Sequence, residues 1–424
     1  MAPDAKQRAE ILKSIKKRVL ASHINVAGID YGAWAQHLDE RTPELLDGDV
    51  RAFEEGVRQL LAELKTSHTV FYHSLPKELL PQHTINASLR DVCINGERKW
   101  MFLDVFEAGP ADVAGMKPGH ILESVDGKCY APPTTPHFGI GQNHKLRVRN
   151  LPDGTIREIE IAVPMRKGTK QRPPIVEPRS PNHSVVAPGI GLLKIPYFPG
   201  AMGMGFANNL DRAINDLKKQ SCDRLIVDLR SNIGGSLGFA RLASYMCPGQ
   251  VPIGHSLTPK RLRSGYDPAT LPRVPMPRTK PELLMTLGLF AFRDKSVMLL
   301  TQGLGPQPFH GRIAILINEW TNSAAEMLAN FAAENGLAEL VGQKTRGNVL
   351  GAANFQVGGG YWLRIPVFGW FTSKGQTLEG NGVSPDVWIE NRPETLAVYE
   401  DEQLNKAIAN MRGLNEHPLR GTGR

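Results

Sequence analysis

An uninterrupted apolar run, Ile313 to Ile317, and the turn after it place the tightest constraint on this chain. The run gives way to Asn318-Glu319-Trp320-Thr321-Asn322-Ser323-Ala324-Ala325-Glu326. Met327, Leu328 and Phe331 then share one face of a helical pattern that stops near Gly336. An apolar run without polar alternation reads as a strand buried on both faces, so the spacing predicts strand, turn and helix in succession. Ser323 falls at the helix start, beside free backbone N–H groups and the positive end of the helix dipole. Serine there has two uses. It can cap the helix, or it can be a nucleophile whose developing oxyanion meets donors already aimed at it. Taken alone, the stretch reads as a cap.

A second stretch repeats the pattern. Leu225-Ile226-Val227-Asp228-Leu229 reads as a buried strand, followed by Arg230-Ser231-Asn232-Ile233-Gly234-Gly235-Ser236 and another helix. Paired glycines at such a turn let backbone approach a ligand, and their amides can cradle an anion. They equally suit a tight turn with no ligand. Upstream lie an apolar strand, Ile190 to Ile195, and a helix over 206–219. Gly200-Ala201-Met202-Gly203-Met204-Gly205 lacks the lysine and the spacing of a nucleotide loop and reads as a flexible turn.

Composition narrows the class. A chain of 424 residues suggests two or three domains. Hydrophobic content of 41% and charge of 22% suit a globular protein, and 42 glycines and 32 prolines point to many turns. No apolar run approaches the roughly 18 residues of a membrane helix, and Met1 to Arg18 has no signal-peptide apolar core. Cys93, Cys129, Cys222 and Cys247 are far apart and suit reduced thiols, so the expected location is the cytoplasm. The net charge of +8 raises nucleic acid as a partner. Its main cluster, Lys260 to Lys280, instead reads as a solvated, proline-rich basic loop.

In order, residues 1–66 read as helices, with Phe53, Val57, Leu60, Leu61 and Leu64 on one face. The pattern breaks at Thr66-Ser67-His68-Thr69. His68 and His73 lack the glutamate and spacing of the helical zinc motif, so neither metal nor cofactor is expected. From Thr84 to Lys167 the texture turns to short strands. There Gly109-Pro110-Ala111, then Ala114-Gly115-Met116-Lys117-Pro118-Gly119-His120-Ile121-Leu122 and Val125-Asp126-Gly127-Lys128 resemble a PDZ domain. That resemblance implies an extended peptide added to a sheet edge. Residues 168–185 read as a linker and 247–310 as an irregular insertion that could form a lid. A strand is expected near Leu340 and strands around 353–372. Glu379 lies between glycine-rich turns, and residues 393–424 read as a helix and a polar tail.

Four ordered pieces belong together: Asp228-Leu229-Arg230-x-Asn232-x-Gly234-Gly235, Ser323-Ala324-Ala325-Glu326, Gly342-x-Lys344-Thr345, and Leu378-Glu379-Gly380-x-Gly382-Val383-x-Pro385-Asp386. Over about residues 50–390 the chain resembles the C-terminal processing (tail-specific) serine peptidases, and more closely the catalytic core of the tricorn peptidase. The resemblance implies an α/β multidomain fold. Its parts would be an N-terminal helical domain (1–83), a PDZ-like β domain (84–167) and a crotonase-like α/β catalytic domain (186–392). The base lysine of the processing peptidases has its counterpart at Asn348, which takes no proton near neutral pH, so a serine–lysine dyad is absent. The tricorn-like tetrad is complete instead. By resemblance Ser323 is the nucleophile and His68 its general base. Ser67 links His68 to Glu379, and the backbone N–H groups of Gly235 and Ala324 form the oxyanion hole.

The chemistry stands without the family. Serine is a weak nucleophile until a positioned imidazole takes its proton, and a third group must fix the tautomer of that imidazole. A histidine base is expected to work near neutral pH without a large pKa shift. The predicted function is a serine peptidase acting on peptides or unfolded protein tails, with no nucleic acid or membrane partner and a homo-oligomer left open. The rivals are a peptide- or ligand-binding protein on the same scaffold and a serine esterase or amidase.

Overall fold

The computed structural model describes residues 3–73, 78–151, 153–165, 175–200, 202–291, 294–305, 309 and 312–413. The chain divides into two compact units. One gathers Met1–Pro76, Pro252–Leu300 and Arg346–Gly382; the other holds Lys77–Val251, Thr301–Thr345 and Val383–Arg424.

The first unit packs three helices on a sheet. The helices are Ala5–Ser22, Tyr31–Asp47 and Val50–Ala62. Aspartates start all three, with the Asp4, Asp30 and Asp49 side chains accepting from first-turn amides. Their apolar faces meet the sheet through Ile11, Leu12, Trp34, Phe53, Phe71, Tyr361 and Leu363. Phe71 stacks on Tyr361 at 4.8 Å, and Phe53 packs edge-on against both. The strand Tyr361–Thr372 is the spine of the sheet. It pairs antiparallel with Val70–His73, Gly351–Gly358 and Pro252–Leu257. Val297–Leu300 and Arg273–Pro275 extend the sheet beyond Pro252–Leu257. The 247–310 region therefore contributes three strands to this sheet, together with the helix Lys280–Ala291.

The second unit holds a largely parallel sheet in the order Asn182–Ala187, Ile190–Lys194, Arg224–Asp228, Ile313–Ile317, Glu339–Gly342 and Val387–Trp388. Only the first pair is antiparallel. All five residues of Ile313–Ile317 are buried, as a run without alternation requires. Helices Met204–Lys219, Gly238–Met246, Ala324–Glu334 and Glu402–Gly413 accompany this sheet. The unit also contains an antiparallel sheet ordered Ala87–Ile94, Glu97–Val105, Ile121–Val125, Asn143–Arg149 and Ile156–Ala162. Its core is Phe102, Met116, Leu122, Phe138 and Leu146. Of the expected linker, residues 168–174 lie outside the described residues, and Asn182 already begins a strand.

Candidate active site

Adjacent parallel strands deliver their C-terminal turns side by side, which is where open α/β sheets build their sites. Arg224–Asp228 and Ile313–Ile317 are such neighbours. Their turns, 229–237 and 318–323, are fastened together. The Asn322 N–H donates to Asn232 O at 2.9 Å and the Thr321 hydroxyl to Leu229 O at 2.9 Å. Ser231 N–H donates to Asn318 Oδ1 at 2.9 Å. A Cβ on Gly234 would lie 2.8 Å from Ser323 Cβ and 3.3 Å from its Oγ, so the glycine backbone rests against the serine side chain. Gly234 thus serves a close approach to Ser323, and Gly235 serves one to the Phe198 backbone.

Ser323 is the N-cap residue of Ala324–Glu334, with φ 56° and ψ −116°. A positive φ is unusual and strained for a residue with a Cβ. The Glu326 carboxylate holds it, with Oε2 accepting the Ser323 N–H at 2.9 Å. Oε1 accepts the Thr345 hydroxyl at 2.6 Å, and Thr345 Oγ1 in turn accepts the Val383 N–H at 2.8 Å. Glu326 is fully buried. These bonds explain why Glu326, Thr345 and Val383 recur in the sequence pieces around the serine. They also occupy the serine's own amide. Among the described residues the Ala324 and Gly235 amides have no acceptor, which leaves them available to an oxyanion.

A buried carboxylate fastens both turns from below. Asp104 Oδ2 accepts the Ser231 hydroxyl at 2.5 Å and the Asn318 amide at 3.1 Å. Ser88 Oγ lies 2.8 Å from Ser231 Oγ. Asp104 and Ser88 stand on the first two strands of the antiparallel sheet. Nothing in the sequence marks them, since a lone aspartate in an apolar strand carries no motif.

In the first unit, Ser67 and His68 occupy the turn between the helix ending at Ala62 and the strand starting at Val70. Glu379 reaches Ser67 twice, through Oε1 to its N–H at 2.6 Å and through Oε2 to its hydroxyl at 3.1 Å. Ser67 Oγ lies 2.8 Å from His68 Nδ1. A carboxylate only accepts, so the Ser67 proton points to Glu379 and the serine oxygen accepts Nδ1–H. That fixes the tautomer and leaves His68 Nε2 as a lone-pair acceptor. Val349 N–H, one residue after Asn348, also donates to Glu379 Oε2 at 3.0 Å. Behind the turn, His23 is fully buried. Its Nε2 lies 2.9 Å from Thr66 Oγ1 and its Nδ1 2.7 Å from the Tyr31 hydroxyl.

Burial pushes the His68 imidazole down to about 4, and the Arg364 guanidinium acts in the same direction. The expectation of a base without a large shift does not hold. Desolvation disfavours the imidazolium, which leaves His68 neutral, the form that accepts a proton, down to acidic pH. Burial likewise lowers His23 to about 4.

The sequence-predicted residues thus form two groups. Ser67, His68 and Glu379 come together in the first unit; Ser323, Ala324 and the Gly234-Gly235 turn do so in the second. Lys344 is exposed. Among the described residues no cluster of His, Cys, Asp or Glu could hold a metal ion, and no helix is long and apolar enough to cross a membrane.

A serine at a strained strand-to-helix turn, with backbone donors beside it, is the arrangement that a hydrolase nucleophile requires. Residues 189–389 match the model described as Peptidase family S41. It is 24% identical over 191 residues to the carboxyl-terminal-processing protease of Picosynechococcus, covering 45% of this chain and 38% of that protein. It is 33% identical over 110 residues to the tricorn protease of Thermoplasma acidophilum, covering 25% of this chain and 10% of the other. The chain therefore spans well under two thirds of these relatives. Its fold resembles the photosystem II D1 C-terminal processing protease, with a TM-score of 0.54 at 16% identity over 92% of this chain and 94% of that one.

Proposed function

We propose that this chain is a serine peptidase that hydrolyses peptides or unfolded protein tails through an acyl-enzyme on Ser323, with His68 as general base. In this reading His68 Nε2 takes the Ser323 proton as Oγ attacks the scissile carbonyl. The Gly235 and Ala324 N–H groups receive the oxyanion. The imidazolium then gives its proton to the leaving amine, and water repeats the cycle to release the acid. The observation that carries this reading is the bond order from Glu379 through Ser67 to His68, which leaves Nε2 with a lone pair and Nδ1–H with an acceptor.

Residues 84–167 act as a PDZ-like module and 186–392 as a crotonase-like catalytic domain. The antiparallel sheet with its Gly109-Pro110-Ala111 turn supports the first, and the parallel sheet with two active turns supports the second. A peptide substrate is the natural one for the family domain, and the tricorn likeness motivates a homo-oligomer. Cytoplasmic residence is supported by four unpaired cysteines, two of them exposed.

The test is a fluorophosphonate probe read by intact mass. Stoichiometric labelling of the wild type and of Asn348→Lys, lost in Ser323→Ala and His68→Ala, is the expected result. A folded wild type that takes no label would leave a binding protein as the reading, and labelling that survives His68→Ala would mean a different base.

A further inference from the structure

Most of the chain's excess charge sits in one segment of the first unit. Residues 258–295 carry eight lysines and arginines against three acidic residues, which is five of the eight net positive charges. Lys260, Arg263, Arg273, Arg278, Lys280 and Lys295 are exposed, and among the described residues none of them forms an ion pair. Arg90, Arg230 and Arg241, by contrast, all pair with carboxylates. The segment is not a simple solvated loop. It contains the helix Lys280–Ala291, in which Lys280 and Glu282 are the only charged residues. Leu284 and Met285 on this helix are 69% and 67% exposed.

Bases stand at both ends of the apolar helix. At its start the Arg278 N–H donates to Glu282 Oε2 at 2.7 Å, which holds Arg278 on the first turn beside Lys280. Just past its end, Asp294 Oδ2 accepts the Thr258 hydroxyl at 2.6 Å, and Ser296 Oγ accepts the Thr258 N–H at 3.0 Å. Thr258 caps the short helix Pro259–Arg263, so these bonds bring its bases next to Asp294 and Lys295. Leu262 turns into a small core with Leu257, Leu271 and Phe371, which leaves Lys260 and Arg263 outward.

Exposed apolar side chains are unfavourable in water, and clustered like charges repel one another. An anionic bilayer surface relieves both, because acyl chains receive the apolar pair while head groups meet the bases. Nucleic acid would satisfy the bases and offer nothing to Leu284 and Met285. The helix is about 18 Å long against the roughly 30 Å of a hydrocarbon core, so it can lie in the surface and cannot cross. We propose that this segment is a peripheral membrane-docking surface. Leu284 and Met285 enter an anionic leaflet, and the flanking lysines and arginines hold its head groups. The surface is independent of the peptidase reading and uses none of Ser67, His68, Ser323 or Glu379.

Co-sedimentation of the full chain with vesicles tests this, using phosphatidylcholine alone and phosphatidylcholine mixed with phosphatidylserine. Binding to the mixed vesicles should be at least about 10-fold tighter and should weaken as salt is raised. Arg278→Gln with Lys280→Gln should weaken it by about 5-fold per charge. Leu284→Ser with Met285→Ser changes only exposed side chains, so the melting temperature should hold while binding weakens by about 10-fold or more. A wild type that stays in the supernatant, or that binds both vesicle types equally, would overturn the proposal. So would undiminished binding by the Leu284 and Met285 double variant. Sedimentation velocity without lipid identifies the rival occupant: a dimer that this double variant dissociates, with no vesicle binding, would assign the surface to a second copy of the chain and overturn the membrane assignment.

Discussion

Glu379 grips Ser67 at two points, the N–H at 2.6 Å and the hydroxyl at 3.1 Å, although 312 residues separate them in the chain. The grip sets both where the turn sits and which way the serine proton points. His68 inherits its tautomer from that proton.

Breaking the relay should therefore cost rate and leave the fold. Ser67→Ala and Glu379→Gln are expected to slow fluorophosphonate labelling by about 10²- to 10⁴-fold, the span of general-base catalysis. Ser67→Thr, which keeps the hydroxyl, should retain more than Ser67→Ala. Labelling rates with thermal melts as the fold control check this.

With His68 as the proposed base, burial of its imidazole, which lowers it to about 4, sets the expected acid limb of the pH profile. The neutral imidazole is the active form, so that limb should lie well below the ordinary imidazole range, towards pH 4. Arg364 contributes to the lowering, so Arg364→Gln should move the limb upward. Among the described residues, Ser67 bonds the ring, Glu379 bonds Ser67, and the Arg364 charge acts on the imidazole. Stability has its own sign. Both His23 and His68 titrate lower folded than unfolded, so below about pH 6.5 the unfolded chain binds protons that the folded chain refuses. Urea midpoints should fall as pH drops from 6.5 towards 4, and His23→Gln should flatten that slope.

Gly234→Ala should inactivate the chain. The added methyl would meet Ser323 Cβ at 2.8 Å, and Gly234 has φ +85°. Moving the turn displaces the adjoining Gly235 amide, and loss of one oxyanion donor costs about 10²-fold or more. A labelling rate within threefold of wild type would contradict the assignment of this turn.

Asp104→Ala should lower both stability and rate. It removes the carboxylate that accepts from both the Ser231 hydroxyl and the Asn318 amide, leaving them Ser88 and each other, at a cost of about 1–3 kcal/mol in all. Asp104→Asn should be milder. Denaturation gives the first number and labelling the second.

Arg230→Ala strands Asp228, whose side chain is 1% exposed. Removing one partner of a buried pair typically costs about 3–5 kcal/mol, so a large fall in Tm is expected.

What the sequence showed depended on how local each signal was. Ile313–Ile317 and Arg224–Asp228 announced themselves by uninterrupted apolar character, and Ser323 by its place between strand and helix. Ser67, His68 and Glu379 were found only through family resemblance, because they lie in turns where periodicity stops. The strands within 252–300 escaped because prolines, glycine and basic residues interrupt any alternation. Asp104 and Arg364 were invisible for a different reason. Each gains its meaning from a neighbour brought near by folding, and a pattern read along the chain has no access to that.

Arg230 sits at the head of the glycine turn, yet one of its two anchors, Asp401, lies far downstream, past Ser323. Ribosomes make chains from the N-terminus. A nascent molecule that already carries Ser323 still lacks the carboxylate that pairs with Arg230 at the head of the glycine turn. The Arg230 pairing is therefore complete only once the segment around Asp401 has been made and docked.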